Sequence, residues 1–334
     1  MPGNTTDSYQ LFSDVSKSNV EWLWYPYIPC GKITVLQGDP GCGKSTVMMD
    51  FIGRLTSGSL LLDGRLMAPM NVLYQCSEDG LADTVKPRLE RMNADCTRVG
   101  YINEDLFGLT LDDEKIRTAM IDMDARLLVI DPFQAYIGDA DLSNASGMRR
   151  ILRRLNMWAS ANNCAVVLVG HLNKKSGSKE LYRGLGSIDV VAVARSVIQV
   201  DRDEENDELR VVKHIKSSLA PKAKDLYFKI ESNGRLGWIE NPYSTESEPV
   251  EIIDEEIKRS KQELAVDYMK SILANGPVEA TVVEQQLIEC GISQRTIKTA
   301  KKTIGVVSRR IENKWFWNLP TSNGKYPILQ ESDT

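Results

Sequence analysis

The stretch Gly38 to Thr46 constrains the fold of this chain more than any other part of the sequence. Its letters, GDPGCGKST, fit the spacing G-x-x-x-x-G-K-[ST] of a phosphate-binding loop, or P-loop. Apolar residues over 33–36 predict a buried strand before the loop, and apolar residues at helical spacing predict a helix over 46–55. Such a turn offers backbone N–H groups and the positive end of a helix dipole to a polyphosphate. The sequence therefore predicts a nucleoside triphosphate site.

Individual residues of this motif have expected roles. Lys44 is expected to contact the β- and γ-phosphates, and Ser45 to ligate Mg²⁺. ATP and Mg²⁺ are therefore the expected cofactors. A glycine-rich turn with a chance lysine is the alternative, and the regular flanking elements argue against it. The other residues expected to surround the nucleotide are Gly38, Asp39, Pro40, Gly41, Cys42, Gly43 and Thr46.

Composition limits the class of protein. The chain has 334 residues, enough for two domains, and its 42% hydrophobic and 26% charged residues are typical of a globular protein. A net charge of −5 excludes a uniformly basic nucleic-acid coat, so binding of that kind requires local patches. The six cysteines are scattered without a C-x-x-C pair, which favours a reducing cytoplasm over a zinc site or a disulfide framework. We expect no signal peptide, no membrane span and a cytoplasmic location.

Strands and helices alternate along the first two thirds of the chain. After the P-loop helix, strands are predicted over 71–76, 126–131 and 165–170, and helices over 81–92, 111–124 and 149–161. This alternation predicts an α/β fold with a twisted, mostly parallel sheet covered on both faces. The pattern then changes to strands at 191–200, 208–216 and 226–230, which predicts a mixed or antiparallel extension.

The chain is predicted to contain two domains. The expected segments are a flexible N-terminus (1–18), an ATP-binding domain (19–239), an acidic linker (240–256), a small domain (257–320) and a tail (321–334). The aromatic run at 20–29 is expected to pack on the core. Three predicted helices and two strands in the small domain favour a winged helix-turn-helix. The helices are predicted at 264–272, 281–290 and 293–303, and the strands at 306–310 and 314–319.

Three residues at predicted strand ends are candidates for the hydrolysis of the nucleotide. Asp131 ends an apolar strand, as a Walker B metal ligand does; an aspartate that caps a turn is the alternative. Because proline follows it, the carboxylate that activates water must lie elsewhere, and Glu78, just past the second predicted strand, is the best candidate. The alternative is that Glu78 only stabilises the first turn of the next helix through the helix dipole. His171 is predicted to contact the γ-phosphate, or else to be an ordinary loop histidine.

A cation supplied by a neighbouring subunit would complete such a site. Arg195 lies in the apolar run 190–198, where a charge needs a partner. That partner is either a neighbour's γ-phosphate, which would make Arg195 an arginine finger, or an internal carboxylate. Lys213 and Lys216 compete for the same role.

Residues 22–230 resemble the RecA/DnaB-type ATPases, most closely the RepA-like hexameric replicative helicase group of plasmids and phages. The resemblance is carried by the motifs at 38–45, 72–79, 128–131, 167–171 and 186–195. It implies a six-subunit ring that couples ATP hydrolysis to movement on single-stranded DNA, with Glu78 as base and Arg195 as finger. Residues 291–320 are similar to C-terminal segments of phage and plasmid ATPases of this kind.

Two basic regions are candidates for DNA contact. The segment 172–187 is expected to face a ring channel and track single-stranded DNA, although a solvated loop is the alternative. From Arg295 to Lys314 there are seven basic residues and one acid, which favours duplex DNA over a protein partner for the small domain. The candidate residues are Lys174, Lys175, Lys179 and Arg183 in the first region, and Arg295, Lys298, Lys302, Arg309 and Arg310 in the second.

The sequence therefore predicts a Mg²⁺-dependent ATPase motor that forms a ring, acts on DNA in replication as a helicase, and works beside a primase or an initiator. The alternative is a nucleotide-gated DNA-binding adaptor, such as a helicase loader or recombination mediator, without unwinding activity.

Overall fold

The computed structural model describes residues 11–104, 108–138, 145–171, 188–243, 261–273, 276–289, 292–311 and 313–320. The strands in these ranges are β1 (Trp22–Trp24), β2 (Ile28–Pro29), β3 (Ile33–Gly38), β4 (Asn71–Cys76), β5 (Val99–Gly100), β6 (Ala125–Asp131), β7 (Ala165–His171), β8 (Ser196–Arg202), β9 (Leu209–Ser217), β10 (Leu226–Ile230), β11 (Leu236–Ile239), β12 (Val278–Glu279), β13 (Val307–Ile311) and β14 (Lys314–Asn318). The α-helices are α1 (Lys44–Ser57), α2 (Lys86–Arg91), α3 (Glu114–Asp122), α4 (Ala145–Ala161), α5 (Ile188–Val193), α6 (Lys261–Ile272), α7 (Ala280–Glu289) and α8 (Gln294–Thr303).

A nine-stranded sheet forms the centre of the larger part of the protein. Its strand order is β11-β10-β9-β8-β3-β7-β6-β4-β5. The six strands from β8 to β5 run parallel, and β9, β10 and β11 extend the sheet in antiparallel fashion. The predicted α/β fold with a mostly parallel sheet and an antiparallel extension is confirmed. The carboxyl ends of β3, β4, β6 and β7 therefore lie along one edge of the sheet.

The sheet is buried on both faces, which explains why its strands read as continuous apolar runs. The hairpin β1–β2 and α1 cover one face, and α3, α4 and α5 cover the other. In the hairpin, Trp24 is 2% exposed and stacks on Phe51 of α1 at 5.5 Å. The predicted packing of this aromatic run on the core is confirmed.

The prediction of one strand over 191–200 is wrong. Residues 188–193 form α5, a break follows, and β8 begins at Ser196. Val190, Val191 and Ala194 are buried against the layer that contains α4. A short apolar run fits a buried helix as well as a strand, and here tertiary packing selects the helix.

The C-terminal residues form a second sheet, and the apolar cluster around it also includes Leu66 of the larger part. Helices α6, α7 and α8 pack with the antiparallel sheet β12-β14-β13 around Tyr268, Leu287, Ile297 and Trp317. The three predicted helices and two predicted strands are present, and β12 was not predicted. Helix α8 begins at an N-cap serine, since the Ser293 hydroxyl accepts a hydrogen bond from the backbone N–H of Thr296, the third residue of the helix. None of the helices in the described ranges is both long enough and apolar enough to span a bilayer.

Candidate nucleotide-binding site

The P-loop joins β3 to α1 and folds around the side chain of Lys44. This side chain is only 5% exposed, and its Nζ donates hydrogen bonds of 2.9 Å to the carbonyl oxygens of Gly38 and Asp39. Two positions of the loop require glycine. A Cβ at Gly38 would lie 2.2 Å from the carbonyl oxygen of Val200, and Gly43 has a positive φ of 102°. The loop therefore holds a lysine ammonium at the amino end of α1, where a phosphate is favoured.

Strands β6 and β4 place a carboxylate beside this helix start. The Ser45 hydroxyl donates to Asp131 Oδ2 at 2.7 Å, and the Tyr74 hydroxyl donates to the same oxygen at 3.0 Å. Burial, together with the charge of Asp131, raises the pKa of Tyr74 well above its usual value. Tyr74 therefore remains a proton donor and orients the carboxylate. Sequence reasoning predicted Ser45 and Asp131 but not Tyr74.

Glu78 and His171 meet across the same edge. His171 ends β7 beside Gly38 of β3, so its ring reaches Lys44, and the distance from Nδ1 to Nζ is 3.4 Å. Its Nε2 lies 3.9 Å from Glu78 Oε2. The Glu78 side chain is 65% exposed and faces open space. The structure thus brings all three strand-end candidates and Lys44 together.

These residues line one cavity of about 410 Å³. Its volume is within the range of about 300–1,000 Å³ that small-molecule sites occupy. Asp79 also lines the cavity, but its carboxylate accepts a 2.7 Å hydrogen bond from Arg88. Glu78 is therefore the better candidate for the general base. Sequence reasoning missed several lining residues, because α2 and the β10–β11 turn reach the cavity only through tertiary packing: Arg88, Arg91, Met92, Ile230 and Gly234.

The donor set of the cavity fits a nucleotide with Mg²⁺. Magnesium takes oxygen ligands from one or two protein side chains and completes its octahedron with substrate phosphates and water. Ser45 Oγ and Asp131 Oδ2 are adjacent oxygens of this kind. Lys44 supplies the positive charge for the phosphates.

The three candidates for a cation supplied to a neighbour differ in their surroundings. Arg195 was expected inside an apolar strand; this is wrong, since it is exposed in the break between α5 and β8. Its backbone N–H donates to the carbonyl oxygen of Ile33, at the sheet edge opposite the P-loop. Lys216 Nζ donates 2.8 Å hydrogen bonds to the carbonyl oxygens of Val191 and Ala194 and so caps α5. Lys216 is therefore committed to its own subunit.

Lys213 belongs to a polar chain that begins next to the P-loop. Gln37, which precedes Gly38, donates to Gln199 at 2.8 Å, and Gln199 donates to Asp201 at 2.9 Å. Lys213 Nζ lies 3.5 Å from the same oxygen of Asp201. Both glutamines are at most 5% exposed, whereas the Lys213 side chain is 32% exposed. This chain links the residue before the P-loop to a partly exposed lysine.

The structure describes only some of the residues predicted to bind DNA. Lys174, Lys175, Lys179 and Arg183 lie outside the described residues. In the C-terminal part, Ile297 and Ala300 of α8 are buried and fix the rotation of that helix. The predicted cations there are exposed on the opposite face of α8 and on the β13–β14 hairpin: Arg295, Lys298, Lys302, Arg309 and Arg310.

A family model described as an AAA domain, AAA_25, matches residues 5–177, which is just over half of the chain. The chain belongs to this AAA-domain family. It is a P-loop ATPase of the RecA/DnaB type, and its mostly parallel sheet is RecA-like. The matched range contains all the residues that line the cavity except Ile230 and Gly234 of the β10–β11 wall.

This AAA-domain protein is similar in part to several curated proteins. It is 27% identical over 150 residues to the DNA repair protein RadA of Halalkalibacterium halodurans and to that of Bacillus subtilis, and 29% identical over 148 residues to that of Chlamydia pneumoniae. Each match covers 43% of this chain, and the chain spans only 29% of the length of these relatives. A solved KaiC-like protein, PH0186 from Pyrococcus horikoshii, aligns with 64% of this chain and 91% of its own, at 20% identity and a TM-score of 0.46.

Proposed function

We propose that this protein is an ATP-hydrolysing, ring-forming motor on DNA, of the kind represented by the RepA-like replicative helicases. The observation that carries the proposal is one cavity lined by a P-loop lysine, a serine–aspartate pair and a glutamate–histidine pair. Membership of a P-loop ATPase family supports hydrolysis of ATP. The partial similarity to proteins named for DNA repair supports DNA as the polymer on which the motor acts.

Each side chain of the cavity has a step to perform. Lys44 would contact the β- and γ-phosphates, while Ser45 and Asp131 would hold Mg²⁺, which would supply positive charge against the phosphate oxygens. Glu78 orients the attacking water and accepts its proton. His171 lies between Lys44 and Glu78, so it senses the γ-phosphate and passes its loss to the segment that follows it in the chain.

The site is completed by a neighbouring subunit. Glu78 and His171 are open to solvent at 65% and 39%, although water exclusion strengthens the electrostatic stabilisation that phosphoryl transfer requires. A second copy placed over this opening would close the cavity and add a cation. We favour Lys213 over Arg195 and Lys216 for that cation. Lys216 is committed to capping α5, and the polar chain from Gln37 couples Lys213 to its own subunit's P-loop.

The C-terminal part is proposed to be a DNA-binding winged-helix domain, joined to the ATPase domain (19–239) by the acidic linker (240–256). Its order of helices and hairpin supports this assignment. The exposed cations of α8 would face the phosphate backbone, because phosphate contacts position a recognition helix on a duplex.

The proposal is tested by ATP turnover, native mass and strand displacement, each measured with and without single-stranded DNA. We expect Glu78→Gln to lower turnover by about 10²–10⁴-fold with little loss of ATP binding, because it removes a general base and keeps the shape of the side chain. Lys213→Ala should also be inactive alone. Mixed rings of the two variants should regain activity, since some interfaces then pair an intact Glu78 with an intact Lys213. Full turnover by a diluted monomer that is indifferent to DNA would overturn the proposal.

A nucleotide-gated DNA-binding adaptor is the second candidate. The relatives are named for DNA repair, and none of the names given above includes a helicase. An adaptor would hydrolyse ATP slowly, form a stable complex with ATP and DNA, and separate no strands. Strand displacement at a rate matched to ATP turnover would decide for the motor.

A further inference from the structure

The exposed face of α4 carries a row of arginines that the proposed function does not use. Arg149, Arg150, Arg153 and Arg154 are all exposed, and the helix contains no acidic residue over its 17 positions. The opposite face is fixed in the core by buried apolar residues: Met148, Ile151, Leu152, Leu155, Trp158 and Ala159. The rotation of α4 therefore points all four guanidiniums away from the sheet.

The arginines line a groove of about 820 Å³. Arg149 and Arg153 are four residues apart, as are Arg150 and Arg154, so each pair is separated by about 6 Å along the helix axis. The remaining lining residues are Asp112, Ser146 and Met157. Two parallel rows of planar, bidentate donors match successive phosphates of a nucleic-acid strand.

The guanidinium of Arg154 has three close neighbours. The Arg154 guanidinium lies 5.5 Å from the ring centre of Trp158, 3.6 Å from a Glu114 carboxylate oxygen and 4.0 Å from one of Asp112. The residues that line the groove include four arginines and one acid, Asp112, on a chain whose net charge is −5. The groove is thus a local basic patch on an acidic protein, which is what a site for a polyanion requires.

We propose that this arginine groove, defined by Arg149, Arg150, Arg153 and Arg154, binds the sugar–phosphate backbone of single-stranded DNA without reading its bases. This inference rests on the proposed action on DNA and adds a contact surface to it. Helix α4 leads back from the carboxyl end of β6, the edge that carries the P-loop, so DNA in the groove would lie beside the ATP-hydrolysing edge. The groove lacks an exposed aromatic ring for base stacking, since its lining residues are arginines, Asp112, Ser146 and Met157.

An acidic protein segment is the competing occupant, and the groove fits it less well. Stable protein interfaces centre on buried apolar anchors in pockets, with charges at the rim. Here Met157, 67% exposed, is the single apolar side chain among the lining residues named above. A surface dominated by guanidiniums is the pattern of phosphate contact.

The test is the affinity for a labelled oligo(dT) across a range of salt concentrations, with wild type and Arg149→Gln/Arg150→Gln/Arg153→Gln. Arg154 is kept, because it packs on Trp158. A single-stranded backbone contact contributes about 0.7 to the slope of log K against log salt, so three lost contacts should reduce the slope by about 2. We expect binding about 10- to 100-fold weaker at 0.1 M salt. The matched control removes three exposed lysines elsewhere, Lys17→Gln/Lys86→Gln/Lys222→Gln, and should leave the slope unchanged.

The outcomes separate this inference from the proposed function. The arginine variant could bind DNA with the wild-type salt slope while Lys174→Gln/Lys175→Gln loses DNA binding. That result would overturn the proposed groove and leave the proposed motor function intact. Absence of DNA binding by wild type would overturn both. Unchanged DNA affinity with lost poly-glutamate binding, or with an altered native mass, would make the groove a protein interface instead. If thermal unfolding shows that the triple variant does not fold, the single variants Arg150→Gln and Arg153→Gln are measured instead. Each should reduce the slope of log K against log salt by about 0.7.

Discussion

The hydroxyl of Tyr74 offers the sharpest test of the proposed metal site. It is buried, with the residue 2% exposed, and it donates to the Asp131 oxygen that also accepts from Ser45. A hydrogen bond to a charged group contributes about 1.5–3 kcal/mol. Tyr74→Phe removes that bond and keeps the ring, so we expect a stability loss of roughly 2 kcal/mol, or about 4–8 °C in melting temperature.

The effect on Mg²⁺ follows from the same bond. The hydrogen bond from Tyr74 holds Asp131 in its metal-binding orientation. If the variant loses that bond's free energy of about 2 kcal/mol from Mg²⁺ binding, the affinity for Mg²⁺ falls roughly 30-fold. Partners that orient a metal ligand typically contribute 10–100-fold in metal affinity, which agrees with this figure. The assay is ATP turnover against free Mg²⁺ at saturating ATP, read as the half-saturating Mg²⁺ concentration.

A matched control is available in Tyr136. It is 1% exposed, and its hydroxyl donates to a Glu104 carboxylate oxygen at 2.9 Å, outside the candidate site. Tyr136→Phe makes the same chemical change and should lower stability by a similar amount without changing the Mg²⁺ requirement. Equal Mg²⁺ half-saturation in the two variants and in wild type would refute the reasoning.

Three further predictions concern the scaffold. Gly53→Ala should destabilise the protein by roughly 1–2 kcal/mol in urea unfolding, because the new Cβ would lie 2.1 Å from the carbonyl oxygen of Met92. This clash outweighs the preference of about 1 kcal/mol that alanine has for a helix. A gain in stability would contradict this packing. Burial lowers the pKa of His214 to about 4, so only the unfolded chain binds this proton between pH 6.5 and pH 4. Stability should therefore be highest above pH 6.5 and fall by about 3 kcal/mol toward pH 4, and His214→Gln should flatten the curve. Lys216→Met should cost about 1–2 kcal/mol through the lost cap of α5, with normal turnover per folded molecule; lost turnover at unchanged stability would instead assign Lys216 to the shared site.

Local patterns were sufficient to predict the elements around the P-loop. The glycines, Lys44 and the apolar runs of β4, β6 and β7 each carry their own signal, because buried parallel strands and a phosphate-binding turn leave short-range signatures. The α5 segment gave the opposite result, since a short, mainly apolar run fits either a helix or a strand until its neighbours are known.

The partners of the site residues were beyond sequence reasoning for a different reason. Tyr74 reads as an ordinary strand residue, and only the alignment of β4 with β6 brings its hydroxyl to Asp131, 57 positions away. Arg88 likewise reads as a surface residue of α2, yet it faces the cavity and binds Asp79. Roles that depend on strand register or helix docking require the folded structure.

The antiparallel extension of the sheet, which is distant in sequence from the P-loop, forms one wall of the cavity. Ile230 and Gly234 line that wall, and Phe228 lies against Gly43 of the P-loop. A fragment ending before β9 would keep every recognisable signature of nucleotide binding while lacking the side of the chamber built by these strands. Inspection of motifs would accept such a fragment as competent, whereas its bound nucleotide would be open to bulk water along that flank.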